Sequence, residues 1–226
     1  METTSLLVPT ASINIAQTLR WQLLGQRDPT GRREEERFTR AFRTAKHPAR
    51  IDVTRAPAHE PTLEVTLRCH ESDVDTLRAM VPGILGLDDT SHAHFDPEPK
   101  VFRDARARAQ HVRLVRVPWL YELLVGIVLQ QRVAYIDAVR SHHWLAREFG
   151  ERFEDDSLRL FPSPQTLMRL PPEAFRQAGV DRERADRLRH VMAASATPMH
   201  SLSATTGFPI RSRMHWRASH APPTNG

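Results

Sequence analysis

The sequence predicts an α+β protein, with a small N-terminal α+β domain over residues 13–95, an all-α domain over 100–194, and a disordered tail over 195–226. Three observations carry this reading. Apolar residues alternate in the stretch before residue 70, they recur at helical spacing after Phe95, and past Ser195 neither period survives among many Ser, Thr, Pro and His.

Taken in order, Met1 to Thr10 has no positive charge ahead of its short apolar stretch, so it reads as a loose end and not as a secretory signal. Ile51 and Val53, then Leu63, Val65, Leu67 and Cys69, alternate as half-buried strands, and the breaker-rich Ala56 to Pro61 between them makes a hairpin turn. A helix follows from Ser72, its N-cap, to Met80, and Pro82-Gly83 ends it. Between Val117 and Gln131, the residues Trp119, Leu120, Leu123, Leu124, Ile127 and Val128 form the apolar face of a core helix that Pro118 opens. Further helices are expected from Ala134 to Phe149 with Gly150 as C-terminal cap, from Pro164, from Pro171-Pro172 to Gly179, and from Asp181 to Ser195.

Composition excludes whole classes. The single cysteine, Cys69, forms no intrachain bridge, and no apolar run reaches the roughly 20 residues of a membrane span. The expected compartment is the cytoplasm, and the expected state is a monomer without membrane association. The net charge of +5 favours polyanionic partners weakly, yet Lys46 and Lys100 are the only lysines. Every other basic side chain is arginine, whose planar fork pairs with phosphate in two places at once. An arginine-rich codon bias explains the same count, because most of these arginines alternate with carboxylates on ordinary solvated helix faces.

Metal and nucleophile chemistry find little support. His142 and His143 point about 100° apart on a helix and are read as unable to share an ion, and His92 with His94 lacks two further ligands. Cys69 on an alternating strand reads as a small buried hydrophobe, and no Gly-rich phosphate loop is present. Asp28-Pro29 marks a turn. The polar break Gln130-Gln131-Arg132, set between two apolar helices, is where function is expected.

Five stretches carry a resemblance: LLGQRDPTGR from Leu23 to Arg32, VPGILGLDD from Val81 to Asp89, YELLVGIVLQQRV from Tyr121 to Val133, AREFGERF from Ala146 to Phe153, and FPSPQTLMRLPPEAFRQAGVDRERADRLR from Phe161 to Arg189. In order and spacing they resemble the helix-hairpin-helix DNA glycosylases, specifically the bacterial 3-methyladenine DNA glycosylase II (AlkA-like) branch, over most of Ile13 to Ala194. The resemblance implies base-excision repair of alkylated DNA, with double-stranded DNA as partner and no cofactor. Such enzymes extrude a damaged base into a pocket and fill the gap in the stack with an inserted side chain. On that reading Gln130, Gln131 and Arg132 contact DNA, with Arg132 at the wedge position, where relatives usually carry an apolar residue. The base pocket draws on Trp119, Tyr121 and Trp21. The plainer reading of the turn is a simple connection between helices, and of the aromatics, ordinary core.

The sequence departs from that family after Ala194. The glycine-containing hairpin and the catalytic Asp that follow in the family have no counterpart, and Asp186 is the last carboxylate-bearing residue. The expectation is therefore a glycosylase shortened before its hairpin, weak in DNA binding and inactive, with the Tyr121 to Val133 helix left partly uncovered. The rivals are an active enzyme completed by another carboxylate, a non-catalytic lesion-sensing module, and a decayed gene product.

Overall fold

A computed structural model of the chain describes residues 1–10, 13–44, 46–56, 62–90, 99–154 and 158–196, without the side chains of 194–196. Five strands, β1 (Glu2–Pro9), β2 (Gly31–Arg33), β3 (Arg37–Arg43), β4 (Pro48–Arg55) and β5 (Thr62–Cys69), form one antiparallel sheet in the order β1-β5-β4-β3-β2. The expected hairpin is β4–β5, with Ile51 opposite Leu67 and Val53 opposite Val65. That register puts the apolar members of both strands on one face, as period-two alternation requires.

The N-terminal residues are not a loose end. β1 pairs with β5 along its length, and Leu6 and Val8 pack against the core while Leu7 points out. Of the three residues on its inward row, Thr4, Leu6 and Val8, only two are apolar, too few to register as a pattern. β3 is covered on both faces: Phe38 and Phe42 lie on the inner row, whereas Ala41 packs on the other side with Phe153, Leu158 and Leu160. Arg40 shares the inner row with the two phenylalanines, opposite Ile51.

Eight helices complete the described chain: α1 (Ile15–Thr18), α2 (Val74–Ile84), α3 (Lys100–Arg108), α4 (Leu120–Leu129), α5 (Tyr135–Phe149), α6 (Pro164–Met168), α7 (Pro172–Gln177) and α8 (Arg182–Ala196). α2 starts after Asp73, not at Ser72, and runs through Pro82 to Ile84. A proline this near the end forfeits little, and burial of Val81, Ile84 and Leu85 holds the last turn in place. One hydrophobic cluster joins the sheet, α1 and α2 and includes Trp119; a second lies among α4 to α8, around Val125, Leu129, Phe161, Phe175 and Leu188.

α4 is turned differently from the expectation. Val125, Val128 and Leu129 face the second cluster, while Leu120, Leu123 and Ile127 stay exposed. The helix is apolar around most of its circumference, so spacing alone could not choose which side is buried. The tail beyond Ala196 lies outside the described residues.

Two glycines end helices for different reasons. Gly179 stops α7 in the left-handed region at φ +73, and the amide of Val180 closes back on Phe175 O at 2.8 Å, the expected terminal geometry. Gly150 ends α5 with an ordinary φ of −79, so its value lies elsewhere. A Cβ there would stand 2.2 Å from Ala146 O and 2.4 Å from Leu160 O, both rigid backbone. Gly150→Ala is therefore expected to destabilise the protein by about 1–3 kcal/mol, as overpacking does; an unchanged urea midpoint would show that the α5 terminus yields.

Candidate nucleic-acid interface and base pocket

Five stretches of the chain meet at a pocket of about 250 Å³. One wall is α4, whose Leu123, Gly126, Ile127 and Gln130 follow one another at helical spacing. Another is the segment after α1, carrying Trp21 and Gln22, with Asp28 from the loop that follows. Val115, Val117 and Trp119 ahead of α4, Arg40 of β3, and His142 of α5 also line it, as does Glu122.

A buried ion pair braces this pocket. Arg40 and Glu122, only 3% and 5% exposed, meet at 2.5 Å between Nη2 and Oε2. Arg40 Nη1 donates to Gln22 O, and the guanidinium lies over the Trp119 ring, 4.8 Å from its centroid. Trp119 in turn packs against Phe42, with centroids 4.6 Å apart. Burial pushes the Glu122 carboxyl above the usual carboxylate range, against the pull of Arg40.

Asp28 organises the adjoining loop. Its Oδ2 accepts from the amide of Leu24 at 2.7 Å, and Oδ1 accepts from the amide and hydroxyl of Thr30 at 2.8 and 2.7 Å. Burial alone would raise its pKa, but His142, Arg40 and the Thr30 hydrogen bonds outweigh it and hold the carboxyl below the ordinary range. His142 stacks on Phe161 at 4.6 Å, and burial pushes its pKa down to about 4, so it is neutral at pH 7.

The two adjacent histidines do approach a common point, contrary to the expectation from their spacing. One ligand atom each from Asp28, His142 and His143 lie within 4.8 Å of one another, because the Leu24 to Thr30 loop folds over α5. These atoms are largely committed, however. His143 Nε2 donates to Leu24 O at 2.7 Å, and both Asp28 oxygens already accept from the loop. A cation here would have to break the loop that brings the ligands together.

The polar turn follows α4 directly. Gln130 is exposed and caps the helix, donating from Nε2 to Gly126 O at 3.0 Å. Gln131 is half-buried, and its Oε1 accepts from Arg187 at 2.8 Å. Arg132 has its side chain 79% exposed on a left-handed backbone, φ +57. Non-glycine residues in that region cost of order 1–3 kcal/mol, and such strain is concentrated at functional sites. Arg184 of α8 fixes the end of α4 from below, donating to Leu129 O at 3.1 Å and to Gly179 O at 2.9 Å.

Of the residues singled out in the sequence, Trp21, Trp119 and Gln130 line one pocket, and Gln131 and Arg132 continue from it. Trp21 is 72% exposed, with Arg20 stacked on it at 4.5 Å, whereas Trp119 is buried. Tyr121 does not join them: it lies among the second cluster, and its hydroxyl donates to Pro162 O at 3.2 Å. One residue of helix separates Trp119 from Tyr121, enough to turn them to different sides. Sequence reasoning missed Gln22, Arg40 and Glu122. A signal existed, since Glu122 interrupts an otherwise apolar helix and Arg40 occupies an inward position of β3.

Removing either member of the buried pair strands the other. Arg40→Met or Glu122→Leu alone is expected to cost about 3–5 kcal/mol, and the double variant to recover most of it; equal losses in all three, read by urea denaturation, would contradict the pairing. His142 gives a pH signature. The unfolded chain takes up a proton near pH 6.5 that the folded site refuses until about pH 4, so stability falls as pH drops through that window. The slope is at most about 1.4 kcal/mol per pH unit. His142→Leu should flatten that part of the profile; an unaltered slope would mean another group titrates.

No protein-family model matches the chain, and no curated protein matches its sequence. Solved structures do match its fold. A 3-methyladenine DNA glycosylase from Archaeoglobus fulgidus superposes with a TM-score of 0.67 at 16% identity, covering 85% of this chain and 66% of that one. MBOgg1 in complex with a low-affinity DNA ligand gives 0.63 at 17%, over 89% and 68%. The Clostridium acetobutylicum 8-oxoguanine glycosylase/lyase bound to double-stranded DNA gives 0.57 at 12%, over 89% and 66%. The chain thus spans about two thirds of the length of these structures, and its α+β architecture is a fold shared with DNA repair glycosylases.

Proposed function

We propose that the chain is a glycosylase-fold protein of base-excision repair that binds damaged duplex DNA and receives an extruded base between Trp21 and α4. The observation that carries this reading is the continuity of the site: Gln130 ends α4 at the pocket, and the exposed, strained Arg132 stands two residues further on. A base leaving the stack needs a receptor pocket and something to fill the gap, and these two requirements are met side by side. Arg132 would occupy the gap by its guanidinium plane, with Gln131 pinned behind it by Arg187. Tyr135 and Ile136, exposed on the first turn of α5, add apolar surface next to it. The aromatic lining suits an electron-poor ring such as an alkylated base.

The same reading holds that this chain does not release the base. Breaking the glycosidic bond builds positive charge on the sugar, and a facing carboxylate is what stabilises that charge. The carboxylates at or near the site are engaged. Glu122 pairs with Arg40, Asp28 is spent on its loop, Asp181 accepts from Arg184 at 2.6 Å and Asp186 from Arg189 at 2.8 Å. A lesion-binding role without cleavage follows from that commitment.

Fluorescence anisotropy with labelled duplexes tests the binding. Affinity is expected to be higher for a duplex with a gap or abasic site than for intact duplex, and to fall as salt rises. Arg132→Ala should lower binding to the gapped duplex about tenfold and to intact duplex much less. Arg132→Gly should do the same while raising stability, since glycine accepts the left-handed backbone freely. Equal affinity for both duplexes would overturn the reading, and sustained release of 3-methyladenine from alkylated DNA by the purified chain would overturn the absence of cleavage.

A further inference from the structure

The pocket holds unmatched hydrogen-bonding atoms. Gln22, Arg40 and His142 are 6%, 3% and 3% exposed, and each has a buried side-chain atom without a hydrogen-bond partner: Gln22 Oε1, Arg40 Nε and His142 Nδ1, the last 3.9 Å from Asp28 Oδ2. All three residues line the same pocket. Buried polar atoms are normally paired, because leaving one unmade forfeits the full cost of desolvating it. The three residues that carry them come from different elements and surround one cavity, so a molecule seated there would stand next to the unmatched atoms.

Their polarity is fixed by the bonds already made. Gln22 Nε2 donates to Ile84 O at 3.0 Å, which leaves Oε1 as an acceptor alone. Arg40 spends Nη1 on Gln22 O and Nη2 on Glu122, which leaves the Nε hydrogen as a donor alone. Because Arg40 grips the backbone of Gln22 itself, the free acceptor and the free donor belong to neighbouring residues. His142 Nδ1 donates or accepts according to tautomer. At about 250 Å³ the cavity falls just below the roughly 300–1,000 Å³ of drug-sized sites, which fits one heterocycle.

We propose that Gln22 and Arg40 read the edge of the base in this pocket, selecting bases that present an N–H donor beside a ring or carbonyl acceptor. The inference rests on the functional reading above and goes beyond it. Stacking on the exposed Trp21 would hold any flat ring alike, whereas the Gln22–Arg40 pair admits a ring with the matching edge and leaves buried atoms unpaired for a ring without it. Arg40 thereby has two duties, since the guanidinium that braces Glu122 also supplies the donor.

Ligand-observed NMR titration of the full chain with free bases tests this, because it reads weak binding. All four probes carry a methyl group at N9 in place of the sugar, since a free N9–H beside N3 would itself present the matching edge. Adenine and hypoxanthine are then the matching bases; unsubstituted purine lacks the exocyclic group, and N6,N6-dimethyladenine has no N–H left. The matching bases are expected to bind at least about tenfold more tightly than the other two. Gln22→Met should collapse that preference to within about twofold, and so should Arg40→Lys, which keeps the positive charge opposite Glu122 but lacks the Nε hydrogen. Circular dichroism verifies that both variants fold. Purine binding as tightly as adenine, no binding by any base, or a preference that survives in both folded variants would overturn the proposal. A chain that binds gapped duplex but does not distinguish the bases keeps the proposed function and loses this inference alone.

Discussion

Everything at the candidate site depends on a charge in an apolar place. Arg40 stands on the inner row of β3 between Phe38 and Phe42, where a hydrophobic residue would ordinarily close the core. It is tolerated because Glu122 of α4 meets it at 2.5 Å, Gln22 O accepts from Nη1 and the Trp119 ring lies against the guanidinium. A buried ion pair of this kind contributes little net stability against an apolar alternative. What it does here is tie the sheet, the segment after α1 and the start of α4 to one guanidinium, so that the pocket between them has a defined shape.

The polar turn depends on a second arginine in a similar way. Arg184 reaches from α8 to the last carbonyl of α4, and Arg187 holds the Gln131 side chain. The first satisfies a carbonyl that a helix end leaves open, and the second fixes a side chain just beyond it. The rigid part of the turn therefore ends at Gln131, and Arg132 projects beyond it. Glu154 also has a positive φ, and Arg43 and Arg68 also hold unmatched atoms, but strain at Arg132 and the unmatched atoms of Gln22, Arg40 and His142 are two sacrifices of stability that flank the same stretch of α4. A protein selected for stability alone would place glycine at the first and apolar residues at the second.

Much of the frame was legible in the sequence, for identifiable reasons. β4 and β5 alternate over enough residues to show their period, and the starts of α6 and α7 are marked by prolines that the structure places in the first helical turn. β1 was lost because only two residues of its inward row, Leu6 and Val8, are apolar. The exposed side of α4 was misread because Leu120, Leu123 and Ile127 are as apolar as the buried Val125, Val128 and Leu129. Of the candidate site residues that local pattern and resemblance singled out, Trp21, Trp119 and Gln130 come to one pocket. Arg40 and Glu122 were not singled out, since they lie 82 positions apart and nothing local joins them. Tyr121, two residues and about 200° on from Trp119, faces the other side.

On the proposed function, lesion-containing DNA places a base against Trp21 and Trp119. The four tryptophans, at 21, 119, 144 and 216, allow a direct reading by fluorine NMR of chain labelled with 5-fluorotryptophan, each signal assigned by Trp→Phe replacement. Titration with a duplex carrying a single mismatched or alkylated base is expected to shift the Trp21 and Trp119 signals and to leave that of Trp144, which packs against Phe149 away from the pocket, unchanged. Saturable DNA binding with Trp21 and Trp119 unmoved would contradict the account.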